Sequence, residues 1–273
     1  MKHISYSKSL FILIVYCTGF FSACSSDSPA QSPVGYGNSD QNIVVEQRNF
    51  AKQSEHCAVD SLHCMTINLS YPYVVSGPAS VIDPINDTIS IHLKRNVAVF
   101  AVESSELETS LEDIARKYIQ EFDQLVADSP EYPFSWEIEV EGSVFYQSDK
   151  VLSVALNAYA YTGGAHPNFF LDLINFDLAT GRKLTLNDIF SNLDQLKVVV
   201  ENKFREVREI DPKTSIADAG FFWGEPFALP ESFALQEDGV YFFYNPYEAA
   251  AYALGATEFT IPYEDLKDLM KGP

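Results

Sequence analysis

The chain has 273 residues, of which 47% are hydrophobic, and a formal net charge of −20 at pH 7. This length suffices for one large domain or two small ones. The negative charge disfavours nucleic acids and anionic lipid surfaces as ligands, because both require basic patches, whereas a basic partner or a simple gain in solubility remains open.

The amino terminus has the pattern of a secretory signal. Lys2 and Lys8 precede an apolar run over residues 10–21, which is too short for a comfortable membrane span. Small residues follow this run, and Cys24 stands at the expected cleavage point. We therefore expect a signal peptide over 1–23.

The cysteine at the cleavage point makes the signal resemble a bacterial lipobox, in which Cys24 is lipidated and becomes the first mature residue. Residues 24–42 are rich in Ser, Asp, Pro, Gly and Gln, which predicts a flexible tether. By resemblance to Gram-negative sorting, Ser25 predicts an anchor in the outer membrane facing the periplasm. A plain signal peptide with an incidental cysteine is the alternative.

Two cysteines remain for the folded part, Cys57 and Cys64. In an oxidising compartment a pair this close in sequence is expected to form a disulfide. His56 and His63 directly precede them, so a metal site with nitrogen and sulfur ligands is the alternative. We favour the disulfide because the spacing matches no common zinc motif and free thiolates oxidise outside the cytoplasm.

The sequence pattern in the first half of the folded part predicts a strand, two helices and a second strand. Apolar alternation from Met65 indicates a strand that Pro72 confines to an edge or a strand end. Apolar residues spaced by three or four predict a helix over 82–97. The segment 109–112 has the sequence of a capping box and predicts a second helix, which ends at Ser129.

The strand that follows these helices alternates apolar residues with glutamates. Glu137, Glu139 and Glu141 therefore form a row on one face, about 7 Å apart. A solvated sheet face is the simpler interpretation, and a docking surface for a basic partner is the alternative. A glycosidase pair is disfavoured, because it needs two differently tuned acids across a cleft.

The middle of the chain is predicted to form a β-hairpin, around which the neighbouring elements are arranged. Alternating apolar residues predict a strand up to Tyr161 and another after Pro167, and Gly163 and Gly164 allow a positive φ in the loop between them. His166 is the loop residue with catalytic character, and a nearby carboxylate such as Asp172 could orient it. Ordering of the loop by the imidazole is the simpler role, because base catalysis requires partners within reach.

The second half predicts a third helix over 196–210, a hairpin turn at 237–239, a last strand over 259–261 and a closing helix over 263–270. Together the elements indicate an α+β fold with a mainly antiparallel sheet and two or three longer helices. We expect two closely associated subdomains, and these are assigned to 43–165 and 166–273.

Three consecutive aromatic residues lie in a Gly- and Pro-rich loop of this half. Phe221, Phe222 and Trp223 either fill the core or present an apolar surface to a partner. Core filling is the commoner fate of such residues, and the alternative would give an interface its apolar centre.

Several segments resemble an exported domain of unknown function numbered 3298 and its upstream companion, numbered 4163. The octapeptide from Tyr161 to Asn168 is the most specific of them. The resemblance implies kinship with the lysozyme-sensing ectodomain of a membrane anti-sigma factor and with the accessory domain of peptidoglycan deacetylases. The other matching segments for domain 3298 are 175–177, 180–190, 244–248, 251–255 and 259–263, and those for domain 4163 are 67–72, Gly77 and 83–87.

The resemblance implies a non-enzymatic, lipid-anchored binding module of the cell envelope, for a basic wall-active protein such as lysozyme or for cell-wall glycan. The sequence has no nucleotide-binding loop, nucleophile elbow or zinc-protease motif. We expect no cofactor and no metal, and a hydrolase using His166 is the alternative. The candidate binding residues are Tyr161, Gly163, Gly164, His166, Glu137, Glu139, Glu141, Phe221, Phe222 and Trp223.

Overall fold

A computed structural model describes residues 43–98, 109–131 and 135–271. The predicted signal peptide, the lipidation site Cys24 and the tether to residue 42 lie outside these residues. Within the described ranges, no helix is both long enough and apolar enough to cross a membrane.

The larger of two sheets has six strands in the order β1-β2-β3-β4-β5-β6. All neighbours pair antiparallel except β2 and β3, which are parallel. Two helices, α1 and α2, connect this parallel pair, as a crossover connection requires. The bounds are β1 Val44–Gln53, β2 Met65–Ser76, α1 Ala79–Ala98, α2 Leu111–Asp128, β3 Trp136–Gln147, β4 Val151–Tyr161, β5 Asn168–Asp177 and β6 Lys183–Leu184.

The second sheet has three antiparallel strands in the order β7-β8-β9. The long helix α4 belongs to this half, and its Phe204 ring lies 5.1 Å from those of Phe221 and Tyr244. The bounds are α3 Leu186–Ile189, α4 Leu193–Val207, β7 Ser232–Leu235, β8 Gly239–Tyr244, β9 Thr257–Pro262 and α5 Tyr263–Leu266. The predicted α+β fold, mainly antiparallel with three longer helices, is confirmed.

The two faces of the larger sheet pack against different elements. The inner face packs on α1 and α2, where Ile89 and Phe122 meet strand residues such as Ile138 and Val154 in one buried cluster. One end of the outer face is covered by the second sheet, through contacts that include Leu173. Within the described ranges, the other end of the outer face has no such cover.

A buried asparagine joins the two sheets. Asn175 accepts hydrogen bonds from the Ser153 hydroxyl at 2.7 Å and from the Leu235 N–H at 2.9 Å, and it donates to the Phe233 carbonyl at 2.8 Å. Its amide therefore satisfies backbone groups of β7 as a neighbouring strand would. The strand β7 is thereby fixed over β5.

Two further asparagines act in the same way. The Asn86 amide makes both hydrogen bonds to the backbone of Val74, each at 2.9 Å. Asn245 accepts from the Leu171 N–H at 2.7 Å and donates to its carbonyl at 3.2 Å. These bonds attach α1 to β2 and the loop after β8 to β5.

Several local predictions need correction. The cap of α2 is Ser110, which accepts from the Asp113 N–H at 3.1 Å, rather than Thr109, because the helix begins one residue later than predicted. The closing helix α5 ends at Leu266 rather than at residue 270. Pro72 lies within β2, opposite Gln47, just past the last residue of β2 that pairs with β3. A missing N–H therefore costs no ladder bond to β3 there.

The disulfide and the predicted subdomain boundary both lie in segments that connect strands. Cys57 and Cys64 are bonded in the structure, with sulfurs 2.02 Å apart, in the segment between β1 and β2. Among the described residues, no group of three or more His, Cys, Asp and Glu could hold a metal ion.

The subdomain boundary at 165/166 stays a prediction. It falls in the loop between the paired strands β4 and β5.

Candidate functional site

The uncovered end of the outer face carries a cluster of acidic, amide and aromatic side chains, which we call the open face. The carboxylate row of β3 lies beside residues of β4 and β5 that point the same way, because directly paired residues share a face. The open face consists of Glu137, Glu139, Glu141, Asn157, Tyr159, Tyr161 and Phe169.

Strand register orders these side chains into rows across the sheet. Glu139 pairs with Tyr159, which pairs in turn with Phe169, and the two rings meet edge to face at 5.3 Å. Glu137 pairs with Tyr161, and Glu141 lies next to a shallow groove of about 210 Å³. The groove continues the open face towards β1 over Asn49, Ala51, Asn68 and Ser70.

The open face has a negative potential. Partial burial, with the nearby carboxylates of Glu137 and Glu139, raises the pKa of the Tyr159 hydroxyl. The same negative charge makes the face unfavourable for anionic groups and favourable for cations.

The predicted loop residue His166 lies at the edge of this face. Its Nδ1 is 2.8 Å from the Pro167 carbonyl, so this nitrogen donates, and Nε2 then accepts from the Tyr247 hydroxyl at 3.2 Å. The imidazole stacks on Tyr252, with ring centroids 3.8 Å apart. Tyr252 in turn lies near enough to Tyr159 to affect its ionisation. The imidazole therefore connects two loops at the border of the open face.

The two loop glycines differ, which corrects the sequence prediction. Gly163 has a φ of 81°, in the left-handed region, whereas Gly164 does not have a positive φ. A Cβ on Gly164 would meet only the His166 carbonyl, at an ordinary 3.8 Å.

We therefore expect Gly163→Ala to lower the free energy of unfolding by about 1–2 kcal/mol, the cost of a side chain in the left-handed region. Gly164→Ala is the matched control, and its effect should stay within about 0.5 kcal/mol. Urea unfolding monitored by fluorescence measures both. Equal destabilisation by the two variants would contradict the assignment.

Asp172 does not reach His166, contrary to the prediction. It lies on the inner face, where its carboxylate is 3.1 Å from Nδ1 of His92 on α1. Nε2 of His92 is 3.2 Å from the Lys183 ammonium. Partial desolvation lowers the pKa of Lys183, and Asp172 opposes this shift. The three side chains tie α1 to β5 and β6.

The aromatic loop residues separate in the structure. Phe221 and Phe222 are buried, at 6% and 5% exposure, in the core around α4, and so cannot contact a partner. Trp223 is 63% exposed. The preceding Phe222 N–H bonds to the Ala249 carbonyl at 2.7 Å, which attaches this segment to the loop after β8.

Two family models match parts of the chain. Residues 187–264 match the model described as a protein of unknown function, DUF3298. The predicted resemblance is confirmed. Residues 59–169 match a model described as deacetylase PdaC, over the part where companion domain 4163 was predicted. Two different parts of the chain thus match two family models, one described as DUF3298 and the other as deacetylase PdaC.

Solved structures share the fold. A DUF3298 family member from Bacteroides fragilis has a TM-score of 0.67 at 19% identity, covering 86% of this chain and 96% of that chain. A second member, from Pseudomonas aeruginosa PAO1, has a TM-score of 0.61 at 22% identity, covering 85% and 96%. At these identities the likeness establishes the fold alone.

A curated relative is the peptidoglycan-N-acetylmuramic acid deacetylase PdaC of Bacillus subtilis strain 168. It is 23% identical over 206 residues, which cover 71% of this chain and 42% of the relative. Because the chain spans less than half of the relative's length, the deacetylase activity is a statement about that protein.

Sequence reasoning missed three members of the open face, Asn157, Tyr159 and Phe169, and also Tyr252 at its border. A signal for the first two was present, since Asn157, Tyr159 and Tyr161 alternate with the buried residues of β4. Tyr252 could not be found, because it reaches the site from a distant loop.

Proposed function

We propose that this protein is a non-enzymatic binding module of the cell envelope, held in the outer membrane by a lipid on Cys24 and binding cell-wall glycan through the open face. The row formed by Glu139, Tyr159 and Phe169 is the observation that supports the glycan most directly. Similarity over 206 residues to a protein named as a peptidoglycan deacetylase agrees with this ligand.

The chemistry of a sugar ring fits such a row. One side of a pyranose ring exposes C–H groups and packs against an aromatic ring, while the hydroxyls at its rim need hydrogen-bond partners. Glu139 and Glu141 are acceptors for these hydroxyls, and the Asn157 amide can both donate and accept. An open surface of this kind suits a polymer, because small ligands are usually enclosed in deeper pockets.

A hydrolase using His166 is the alternative function. Glycoside hydrolysis needs two carboxyl groups with different pKa values on either side of the scissile bond. The glutamates of the open face instead stand in one row on one strand, and both ring nitrogens of His166 contact neutral groups, the Pro167 carbonyl and the Tyr247 hydroxyl. These features favour binding over turnover.

A basic wall-active protein, such as a lysozyme, is the second candidate ligand. The carboxylate row favours it, because such a row accelerates the encounter with a basic protein and is screened by salt. High affinity at a protein interface also needs a central apolar contact. Of the three aromatic residues predicted for that contact, Trp223 alone is exposed. We therefore place the glycan first.

The double variant Tyr159→Ala/Phe169→Ala is expected to bind purified cell-wall sacculi at least about tenfold more weakly, because it removes both stacking rings. Binding is measured by co-sedimentation of a soluble Cys24→Ser chain with sacculi over a range of concentrations. Trp223→Ala is the matched control, since it removes an exposed ring outside the open face.

Sedimentation of the double variant equal to that of the parent, with an unchanged thermal unfolding midpoint, would exclude the open face as the site. Failure of the parent to bind sacculi, combined with micromolar lysozyme binding that Trp223→Ala weakens, would replace the glycan by a basic protein.

A further inference from the structure

The residues of β1 to β5 that point to the outer face include carboxylates but no basic side chain that would neutralise their charge. In these described strands the charged residues at outward positions are the three glutamates of β3 and Asp177, at the far end of β5. The basic residues of β1 are turned to the inner face, where Lys52 pairs with Glu112 of α2 and the Arg48 guanidinium lies 3.2 Å from the centre of the Tyr73 ring. The negative charge of the outer face is therefore unopposed within its own strands.

This charge acts where a sugar ring would stack. Glu139 pairs directly with Tyr159, and Glu137 pairs with Tyr161, so the backbone position of each glutamate lies about one strand spacing from that of a tyrosine on the same face. The raised pKa of Tyr159 has the same origin in part, because both glutamates disfavour a negative oxygen beside them. A ligand on the Tyr159 ring is therefore exposed to the field of both carboxylates.

Carboxylates next to aromatic rings form a favourable environment for an ammonium group. The face of a tyrosine ring attracts a cation through its quadrupole, and a neighbouring carboxylate adds a charge-assisted hydrogen bond. Tyr252 and the stacked His166 add further π-surface at the border of the same region.

We propose that the open face selects glycan units whose amino group is free, and therefore carries a positive charge, over units whose amine is acetylated; this rests on the proposed glycan-binding function. An acetylated unit offers a neutral amide, which gains one N–H hydrogen bond but no attraction between full charges. A unit with an added carboxylate is repelled. The charge of the amine thus decides which part of a polymer is bound.

The preference implies that the polymer bound by this protein is the product of a particular class of reaction. Free amines arise on an amino-sugar polymer when an N-acetyl group is hydrolysed to acetate and the amine. The open face accordingly takes the polymer product of an N-deacetylation, rather than its substrate.

Two soluble probes test the preference, a β-1,4-linked hexamer of N-acetylglucosamine and the corresponding hexamer of glucosamine. Isothermal titration calorimetry with the Cys24→Ser chain, at a pH where the amine is protonated and at low salt, is expected to give at least about tenfold tighter binding of the glucosamine hexamer. The advantage should decrease as salt rises or as the amine loses its proton.

The variant Glu137→Gln/Glu139→Gln keeps the shape of both side chains and removes their charge. It is expected to lose the tenfold advantage, because its affinity for the glucosamine hexamer falls to about that for the acetylated hexamer. Glu225→Gln/Glu237→Gln is the matched control, because it makes the same change in net charge at exposed positions outside the open face. The control should keep the advantage.

The outcomes separate this inference from the function on which it rests. Equal affinity for both hexamers, reduced in Tyr159→Ala/Phe169→Ala, would overturn the preference and keep glycan binding. Binding of neither hexamer would overturn both. Polylysine binding as tight as that of the glucosamine hexamer, with the same loss in Glu137→Gln/Glu139→Gln, would show attraction to any polycation and overturn the selection of a sugar.

Discussion

Asn175→Leu is expected to lower the free energy of unfolding by about 3–5 kcal/mol, because it leaves buried polar groups of β7 without partners. The Leu235 N–H and the Phe233 carbonyl both bond to the Asn175 amide. An unsatisfied buried backbone group costs about 1–3 kcal/mol, and leucine has the same branching and the same number of side-chain heavy atoms as asparagine but no polar atom to offer. Urea unfolding monitored by circular dichroism measures the change.

The control for this variant is Asn68→Leu, an exposed asparagine of β2 in the same sheet. Its effect should stay within about 0.5 kcal/mol. If Asn175→Leu lost less than about 1 kcal/mol, the amide would not be the connection between the two sheets that its hydrogen bonds indicate.

Gly181→Ala is expected to destabilise the fold by about 2–5 kcal/mol, through two separate effects. Gly181 has a φ of 71°, where a side chain costs about 1–2 kcal/mol. An added Cβ would also lie 2.5 Å from the carbonyl oxygen of Val81, in the first turns of α1. Overpacking of this kind costs about 1–3 kcal/mol more, since backbone atoms cannot rotate aside.

Gly220→Ala separates the two effects. Gly220 has a φ of 86°, and nothing lies within 4 Å of the Cβ that alanine would add. This control should therefore show the conformational cost alone, about 1–2 kcal/mol. Thermal and urea unfolding of both variants give the difference, and equal losses would mean that the turn moves away from α1 to accommodate the methyl group.

Local patterns in the sequence predicted the elements well because local physics determines them. The alternation along β4 and the spacing of three and four in α1 depend only on which side chains must be buried. The cap of α2 was displaced by one residue because Thr109 and Ser110 are both good caps, and each is followed three residues later by an acidic residue, Glu112 or Asp113. The sequence alone does not choose between two adjacent caps.

The open face was only half predictable because its rows depend on strand register. The outward position of Glu139 follows from alternation, but its place beside Tyr159 and Phe169 requires the pairing of three strands. Asp172 interrupts the apolar alternation of β5. Its partner His92 comes from a helix that no local rule places there.

The aromatic loop shows a second limit. Phe221, Phe222 and Trp223 are equivalent by hydrophobicity, yet only the last is exposed. Phe222 and Trp223 both have positive φ values, 55° and 56°, and these consecutive side chains lie in opposite environments, one buried and one exposed. Such backbone angles are rare for aromatic residues, so no sequence rule would have assigned them.

The parallel pairing of β2 with β3 has a consequence for the rate of folding. Met65 pairs with Trp136, so about 70 residues must be closed into a loop before this ladder begins to form. The hairpins β1–β2, β3–β4 and β7–β8 need much shorter closures and are expected to form early. Because non-local pairing slows folding, the rate-limiting step should be the docking of α1 and α2 that brings β2 to β3. Destabilising changes in those helices should therefore slow refolding more than changes in the second sheet do.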